Sequence, residues 1–487
     1  MFYKNKYENI TGFKLFIAFI LILAIVLFLF SVINSFSYIK CVLLFISFVI
    51  LVISATPLFL NNGSDYLTPW TYFFYFTFLD IYLRIFYIVN GIPNSDFINA
   101  MFLLDRGFET LLFPSVIVLV GYIFLLLGFL TNNQNIVNSK ELNKNIKNNW
   151  NQNKLFAVVI VLLIVSLIAL INFISLSIDN VLQLAFENMS AYRGTSTEIS
   201  EYNAHGLLRW LILLSNVAVN LIYSNILVST QNRKLSIFLL VVSFIISGFF
   251  FFFIQSRSGF LYLFINLFAL RYYIKGSVPV YKIAILAVFG LYALGLITSL
   301  RAGSGYDLAN FDIYAPLNGL QPLVADNTGI DISKTGLIID HVKYNFEYGN
   351  TFLWIIISWI PRQLWPMKPV NIDTVVGIEV YGSNAFGAGA VPPGLFAELY
   401  WNFWYLGILI GCWLVGKYIY RIQKIFVLKG KFNLNGIIVY VLCFMQIGLG
   451  IVGSSIVSWV TVMLLTYIPL SLTLKYITIN PDLIIKK

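Results

Sequence analysis

The sequence has little charge. Only 11% of its 487 residues are Asp, Glu, Lys or Arg, and 59% are hydrophobic, whereas soluble domains average about 25% charged residues. A chain of this composition cannot cover its folded core with a surface that water tolerates. The composition excludes ordinary soluble proteins and predicts that the solvent is lipid.

Cysteine and histidine are also scarce. All three cysteines lie within apolar runs, which excludes a disulfide framework. The two histidines, His205 and His341, have no cysteine or acidic cluster beside them, so no metal site is predicted. The sequence has no phosphate-binding glycine loop and no dinucleotide fingerprint. We therefore expect no cofactor, no nucleotide and no nucleic-acid partner.

Long apolar runs are abundant. A membrane-crossing helix needs about 20 apolar residues. Runs of this length predict an all-α polytopic membrane protein with about twelve helices, near 13–34, 41–60, 68–90, 111–130, 155–177, 207–229, 235–254, 258–273, 279–299, 395–416, 434–453 and 457–475. The apolar segment 351–360 is stopped by Pro361 and is predicted to lie in the interface or to re-enter the membrane.

Basic loops set the predicted orientation, because Lys and Arg accumulate on the cytoplasmic side of a membrane. Loops 131–154, 271–282 and 417–431 are the most basic. One topology places all three inside together with both termini. It divides the chain into an N-terminal bundle of about nine helices (1–300), an extracytoplasmic loop with short interfacial helices (301–394) and a C-terminal bundle of about three helices (395–487).

Arginine and lysine divide unevenly in this topology. Of the 21 lysines 17 are cytoplasmic, whereas seven of the ten arginines are not. Arginine differs from lysine by a planar fork that binds phosphate through two hydrogen bonds. Arg257, Arg301 and Arg362 stand at outer helix ends or in the proline-rich turn 360–369, which also presents Lys368 as a predicted substrate-binding residue. We expect the three arginines to converge on one diphosphate; the alternative is that they anchor helix ends.

Acidic residues in apolar segments should be paired. Asp80 lies one helical turn before Arg84, so a structural ion pair is predicted within the membrane. Glu398 lies just inside an apolar helix start with no cation nearby in sequence. It is predicted to act as a general base toward a sugar hydroxyl or to pair with Arg257 or Arg362. His341 is the second candidate base.

Several segments together resemble the Wzy-type polysaccharide repeat-unit polymerases. They are Phe346-Glu-Tyr-Gly-Asn350, Trp359-Ile-Pro-Arg362 with Trp365-Pro-Met-Lys-Pro369, Pro393-Gly394, Glu398-Leu-Tyr-Trp-Asn-Phe403 with Gly407, and Ser256-Arg-Ser-Gly259. The resemblance rests mainly on about 60 residues and on the predicted topology. It also implies an architecture similar to the glycosyltransferases of the GT-C type, which use lipid-linked sugars.

The resemblance implies an enzyme of the bacterial inner membrane. It would transfer a growing glycan from polyprenyl diphosphate to a new lipid-linked repeat unit at the extracytoplasmic face, with neither metal nor nucleotide. Tyr400 and Arg193 join the predicted substrate-binding residues. The family is described with arginines in two large outer loops. Here the outer loop before the predicted helix 207–229 offers Arg193 alone, which weakens a model with two such loops. A chain-length regulator is a candidate partner. An O-antigen ligase-like transferase and a lipid-linked oligosaccharide flippase remain as alternatives.

Overall fold

The part of the chain that can be described consists of helices joined by short segments. The computed structural model describes residues 2–34, 37–60, 67–90, 107–131, 149–177, 208–253, 257–275, 332–343, 345–358, 360, 364, 365, 367–380, 391–428, 433–445, 447, 450 and 453–479, with positions 288, 290, 292 and 295. No strand occurs among these residues, whose sole β-type contact is a bridge between Trp150 and Thr478. The predicted all-α class is confirmed for this part of the chain.

Fifteen helices are named here in chain order. They are α1 Phe2–Asn34, α2 Tyr38–Leu60, α3 Pro69–Val89, α4 Phe108–Leu130, α5 Gln152–Ser177, α6 Leu208–Val228, α7 Arg233–Phe253, α8 Arg257–Lys275, α9 Ile332–Val342, α10 Asn350–Ile357, α11 372–380, α12 Leu395–Leu406, α13 407–428, α14 Leu434–Phe444 and α15 Ile456–Ile477.

Within the described residues, nine helical segments are long and apolar enough to cross a membrane. They comprise α1 to α7, the α12–α13 run and α15, so the chain is a multi-pass membrane protein. The sequence predicted twelve crossings. Helix α8 forms as expected but carries Asn266, Arg271 and Lys275, which lower its apolar character, and α14 is too short. The predicted crossing at 279–299 lies almost wholly outside the described residues.

The predicted pair Asp80–Arg84 is confirmed. The two side chains are buried within α3, with an oxygen of Asp80 3.0 Å from a nitrogen of Arg84. They lie where α3 widens into a π-helical stretch over Thr77–Leu83. An intramembrane charge pair of this kind avoids the cost of burying either charge alone.

Helices α4 and α13 pack closely and run parallel. A Cβ atom added at Gly128 would lie 2.0 Å from the carbonyl oxygen of Trp413, so their backbones touch. Contacts advance along both helices in the same direction: Gly121 with Cys412, Leu125 with Gly416, and Phe129 with Tyr420. The segment 131–154, which follows α4, and the last turns of α13 therefore lie at the same end of the bundle, named here the Lys-rich end. The predicted loop 417–431 is wrong over most of its length, because α13 continues to residue 428 and its last turns carry Lys417, Arg421 and Lys424.

Helix α15 runs from the opposite end of the bundle to the Lys-rich end. Its C-terminus reaches the start of α5, where the Ile479 N–H donates to the Asn149 carbonyl (3.0 Å), and both Asn149 and the first turn of α5 belong to the basic segment 131–154. Twenty-two helical residues rise about 33 Å. The N-terminus of α15 is thus about one bilayer thickness from the Lys-rich end.

A small second core holds the short helices to the bundle. Ile338 and Val342 of α9 pack with Ile372 and Val376 of α11 and with Ala397 and Trp401 of α12. The other face of α12, including Phe396 and Leu399, packs into the main core. This double burial explains why every residue from Leu395 to Asn402 is enclosed, and it fixes α9 and α11 beside α12.

Candidate functional site

Two segments that are far apart in sequence meet at the end of the bundle opposite the Lys-rich end. The Glu347 N–H donates to the Trp401 carbonyl (3.0 Å), and the Gly349 N–H donates to the side-chain oxygen of Asn402 (3.1 Å). The Asn402 amide also donates to the Thr351 hydroxyl (2.7 Å). Asn402 therefore ties the turn 347–351 to α12.

The backbone breaks directly after Asn402. Phe403 and Trp404 leave the helical conformation, with φ 54° and ψ −141° at Trp404. A Cβ atom added at Gly407 would lie 2.1 Å from the Leu399 carbonyl oxygen, although positions eight residues apart in a straight helix are about 12 Å apart. The chain thus folds back on itself.

The fold-back corrects the prediction of one straight helix over 395–416. Two features stabilise the break. The C-terminal carbonyl of Trp401 is satisfied by Glu347, and Gly407 lets the two arms approach to backbone contact. The crossing part is α13, and the short arm that carries Glu398 packs beside it.

Glu398 is fully buried, and its partners are backbone groups. Its two carboxylate oxygens accept hydrogen bonds from the N–H groups of Ile456 and Val457 at the start of α15. A carboxylate at this place satisfies donors that have no partner within the helix and complements the helix dipole. In this arrangement Glu398 supports α15.

Asp373 is the second acid at the start of α15. One of its oxygens accepts from the Ser458 hydroxyl (2.7 Å), and its carbonyl accepts from the Val391 N–H (2.8 Å). Burial raises the pKa of the Asp373 carboxyl above its ordinary value, while the Ser458 and Ser455 hydroxyls and the charge of Lys334 act in the opposite direction. The group is thus displaced toward its protonated form.

His341 is more accessible than Glu398. Its Nε2 lies 3.2 Å from a carboxylate oxygen of Glu379, with about a third of the His341 side chain exposed. The imidazole also lies edge-on to the Trp401 ring, with centroids 5.9 Å apart. A carboxylate held against one ring nitrogen fixes the orientation of the imidazole and leaves the other nitrogen for proton transfer.

Lys368 points inward. Its ammonium donates to the carbonyls of Ser358 (3.0 Å) and Ile360 (2.9 Å) and lies 4.3 Å from the centre of the Trp354 ring. These carbonyls follow the C-terminus of α10, where a cation is favoured. Lys368 therefore holds the end of α10, which makes direct binding of a diphosphate by this amine less favourable.

Of the other predicted binding residues, the structure describes the side chain of Tyr400 alone. Tyr400 is buried, with its ring 6.2 Å from Phe346 and 5.8 Å from Tyr405. Arg257 is the first residue of α8, but its side chain lies outside the described part of the structure. Arg193, Arg301 and Arg362 lie wholly outside it. Their convergence on one diphosphate stays a prediction.

Sequence reasoning missed Lys334 and Asp373, and it assigned no role to Asn402, which lies in the segment 398–403 that resembles the polymerase family. Lys334 is fully buried in α9, although it lies in the polar-looking stretch Asp331-Ile-Ser-Lys-Thr335. Asp373 follows a proline-rich turn without any apolar run that would single it out. Asn402 offered the best signal, because an amide inside the apolar run 395–406 must find hydrogen-bond partners.

Comparisons with known proteins add no relative. No family model, no characterised protein and no solved structure matches the chain.

Proposed function

We propose that this protein polymerises glycans from polyprenyl-diphosphate-linked repeat units. The reaction is a glycosyl transfer on the extracytoplasmic face of a bacterial inner membrane. A sugar hydroxyl of one lipid-linked unit attacks the anomeric carbon of the growing chain. The bond from that carbon to the diphosphate oxygen breaks, the hydroxyl proton passes to a base, and polyprenyl diphosphate leaves.

One observation carries the proposal. Two of the segments that resemble the polymerase family, 346–350 and 398–403, lie about 50 residues apart in sequence, yet they are in direct contact through Asn402, Trp401 and the Phe346 ring. Residues that form one constellation in space are what a shared binding or catalytic site requires. A chance similarity of separate segments gives no reason for such contact.

The position along the bundle also supports the proposal. The meeting point of these segments lies at the end opposite the Lys-rich end, and basic loops stay in the cytoplasm. This orientation exposes the site to the compartment in which flipped, lipid-linked sugars are found. The apolar surface of α10, with Leu353 and Ile356 more than half exposed, suits contact with a lipid-borne substrate.

His341 is better suited than Glu398 to be the base. Its imidazole is partly exposed and is oriented by Glu379, whereas the Glu398 carboxylate is enclosed and occupied by backbone donors. The order of the two candidates from the sequence is therefore reversed in the proposal. Arg257, Arg301 and Arg362 remain the proposed holders of the departing diphosphate, because arginine keeps its charge when desolvated.

The test is reconstitution. The purified protein in nanodiscs is given polyprenyl-diphosphate-linked repeat units, and products are separated by length. A ladder of chains with release of polyprenyl diphosphate is expected. Intact protein that leaves the units unextended would refute a polymerase, and transfer to a lipid core without elongation would identify a ligase.

His341 variants test the assignment of the base. His341→Ala is expected to lower the rate of elongation about 100-fold or more, the usual contribution of a general base, whereas Glu379→Gln should cost less because the imidazole remains. Lys343→Ala is the matched control on the same exposed end of α9. Normal elongation by His341→Ala with normal protein levels would exclude His341 as the base.

A further inference from the structure

Five aromatic rings form a connected cluster at the fold-back. Phe346 lies at its centre, with ring centroids 6.3 Å from Tyr348, 6.2 Å from Tyr400 and 6.0 Å from Trp404. Tyr405 closes the cluster at 4.6 Å from Trp404 and 5.8 Å from Tyr400. Tyr400 and Phe346 form its inner side.

The three outer rings of the cluster are exposed. Tyr348 is 77% exposed, Trp404 48% and Tyr405 38%. Rings with this exposure contribute little to the hydrophobic core. Their contact with buried Tyr400 and half-buried Phe346 nevertheless restricts how they can turn. The cluster is therefore an anchored surface with exposed aromatic faces.

Two of the exposed aromatics occupy backbone conformations that suit glycine. The φ angle is 47° at Tyr348 and 54° at Trp404, among four non-glycine residues with positive φ in the described part of the chain. Bulky side chains rarely adopt such angles, and strain of this kind concentrates at functional sites. Neither ring is needed to fill the core, so folding alone does not explain why these positions are aromatic.

The chemistry of this surface fits a sugar ring. A pyranose has an apolar face of C–H groups and a rim of hydroxyls. Aromatic faces can pack against the C–H face, and the Tyr hydroxyls and the Trp N–H can form hydrogen bonds with the sugar hydroxyls. Aromatic residues also gather at membrane interfaces, but a residue that only anchors a helix needs no strained backbone. The cluster is tied through Glu347 and Gly349 to Trp401 and Asn402, within the candidate site.

We propose that Tyr348, Trp404 and Tyr405 form a stacking platform for a sugar ring of the glycan chain. The proposal rests on the proposed function for the class of ligand. It adds a binding subsite whose role is to hold the chain beside the reacting groups. The platform needs no charge and no metal, so it is separable from the diphosphate site.

Glycine substitutions test the platform sharply, because they remove a ring and relieve strain in one change. The probe is the repeat-unit oligosaccharide released by mild acid from the lipid-linked pool of the producing cells. Its binding to nanodisc-embedded protein is measured by saturation-transfer NMR. Trp404→Gly and Tyr348→Gly should each weaken binding about tenfold, as loss of one stacking contact implies, and thermal stability should not fall. Trp404→Phe should retain most of the binding.

Two controls match the backbone effect without touching a ring. Lys343 and Asn232 also have positive φ, at 44° and 48°. Lys343→Gly and Asn232→Gly should bind the oligosaccharide as the unaltered protein does. The same loss in these controls would trace the effect to the backbone and overturn the proposal.

The remaining outcomes are distinct. If Trp404→Gly and Tyr348→Gly bind the oligosaccharide normally, the platform is overturned. If brominated lipids also quench the fluorescence of these variants less than that of the unaltered protein, the cluster lies at the bilayer interface. Ring-dependent binding of the glycan without any polymerisation in the reconstituted system would keep the platform and remove the polymerase. Polymerisation together with glycan binding that does not depend on the rings would keep the polymerase and remove the platform.

Discussion

Asp373 and Glu398 gather around the first turn of α15, where backbone N–H groups and the helix dipole favour acceptors and negative charge. Lys334 adds a positive charge that acts on Asp373. The start of α15 is thus held by side chains from α11 and α12, and Lys334 of α9 acts on one of them. A change in the ionisation of Asp373 should therefore alter the stability of the contact between α11 and α15.

Asp373→Asn is expected to change the dependence of stability on pH. Because burial raises the pKa of Asp373 in the folded protein, its protonated form favours folding. This contribution is present below the ordinary carboxyl pKa and is lost as pH rises through the raised value. Each unit by which the pKa is raised corresponds to about 1.4 kcal/mol.

The measurement is the thermal unfolding midpoint in detergent from pH 4 to pH 8. The unaltered protein should lose stability toward pH 8 by more than Asp373→Asn, whose amide can still accept from Ser458. Parallel pH profiles for the two would show that Asp373 keeps an ordinary pKa.

At the scale of elements, glycine determines how α4 and α13 pack. A Cβ atom at Gly416 would lie 2.0 Å from the Leu125 carbonyl oxygen, which is far inside van der Waals contact. Gly416→Ala should therefore destabilise the protein by about 1–3 kcal/mol or more. The thermal midpoint and the yield of folded protein measure the effect.

Gly248 is the matched control for this substitution. It lies within α7, and an added Cβ atom would meet no atom within 4 Å. Gly248→Ala should leave the midpoint unchanged or raise it, since alanine favours a helix over glycine by about 0.5–1 kcal/mol. Equal behaviour of the two variants would contradict the close contact between α4 and α13.

For the whole molecule, the parallel course of α4 and α13 predicts the sides of the membrane. A cysteine at Lys154, beside the Lys-rich end, should be protected from an impermeant thiol reagent in intact cells. A cysteine at Lys343, after α9, should react. Both positions are exposed, so reaction of the two to the same extent would reject the topology.

Local pattern in the sequence predicted much of the helical framework. Continuous apolar runs predict membrane helices because a bilayer admits only backbone that satisfies its own hydrogen bonds. The pair Asp80–Arg84 was predictable because four residues make one helical turn. Segment 351–360 was expected to be too short to cross, and α10 has eight residues. These features depend on neighbours in sequence, which the sequence displays directly.

Tertiary structure decided the partners of the candidate site residues. Glu398 was expected to have a catalytic or arginine partner and instead meets the amides of Ile456 and Val457, and His341 meets Glu379. The break at Trp404 and the inward turn of Lys368 were not predictable either. Sequence by itself determined which segments become helices, because that choice depends on local spacing and hydropathy. Which side chains meet depended on how those helices pack, since contacts between residues 38 to 59 positions apart are set by neighbouring elements.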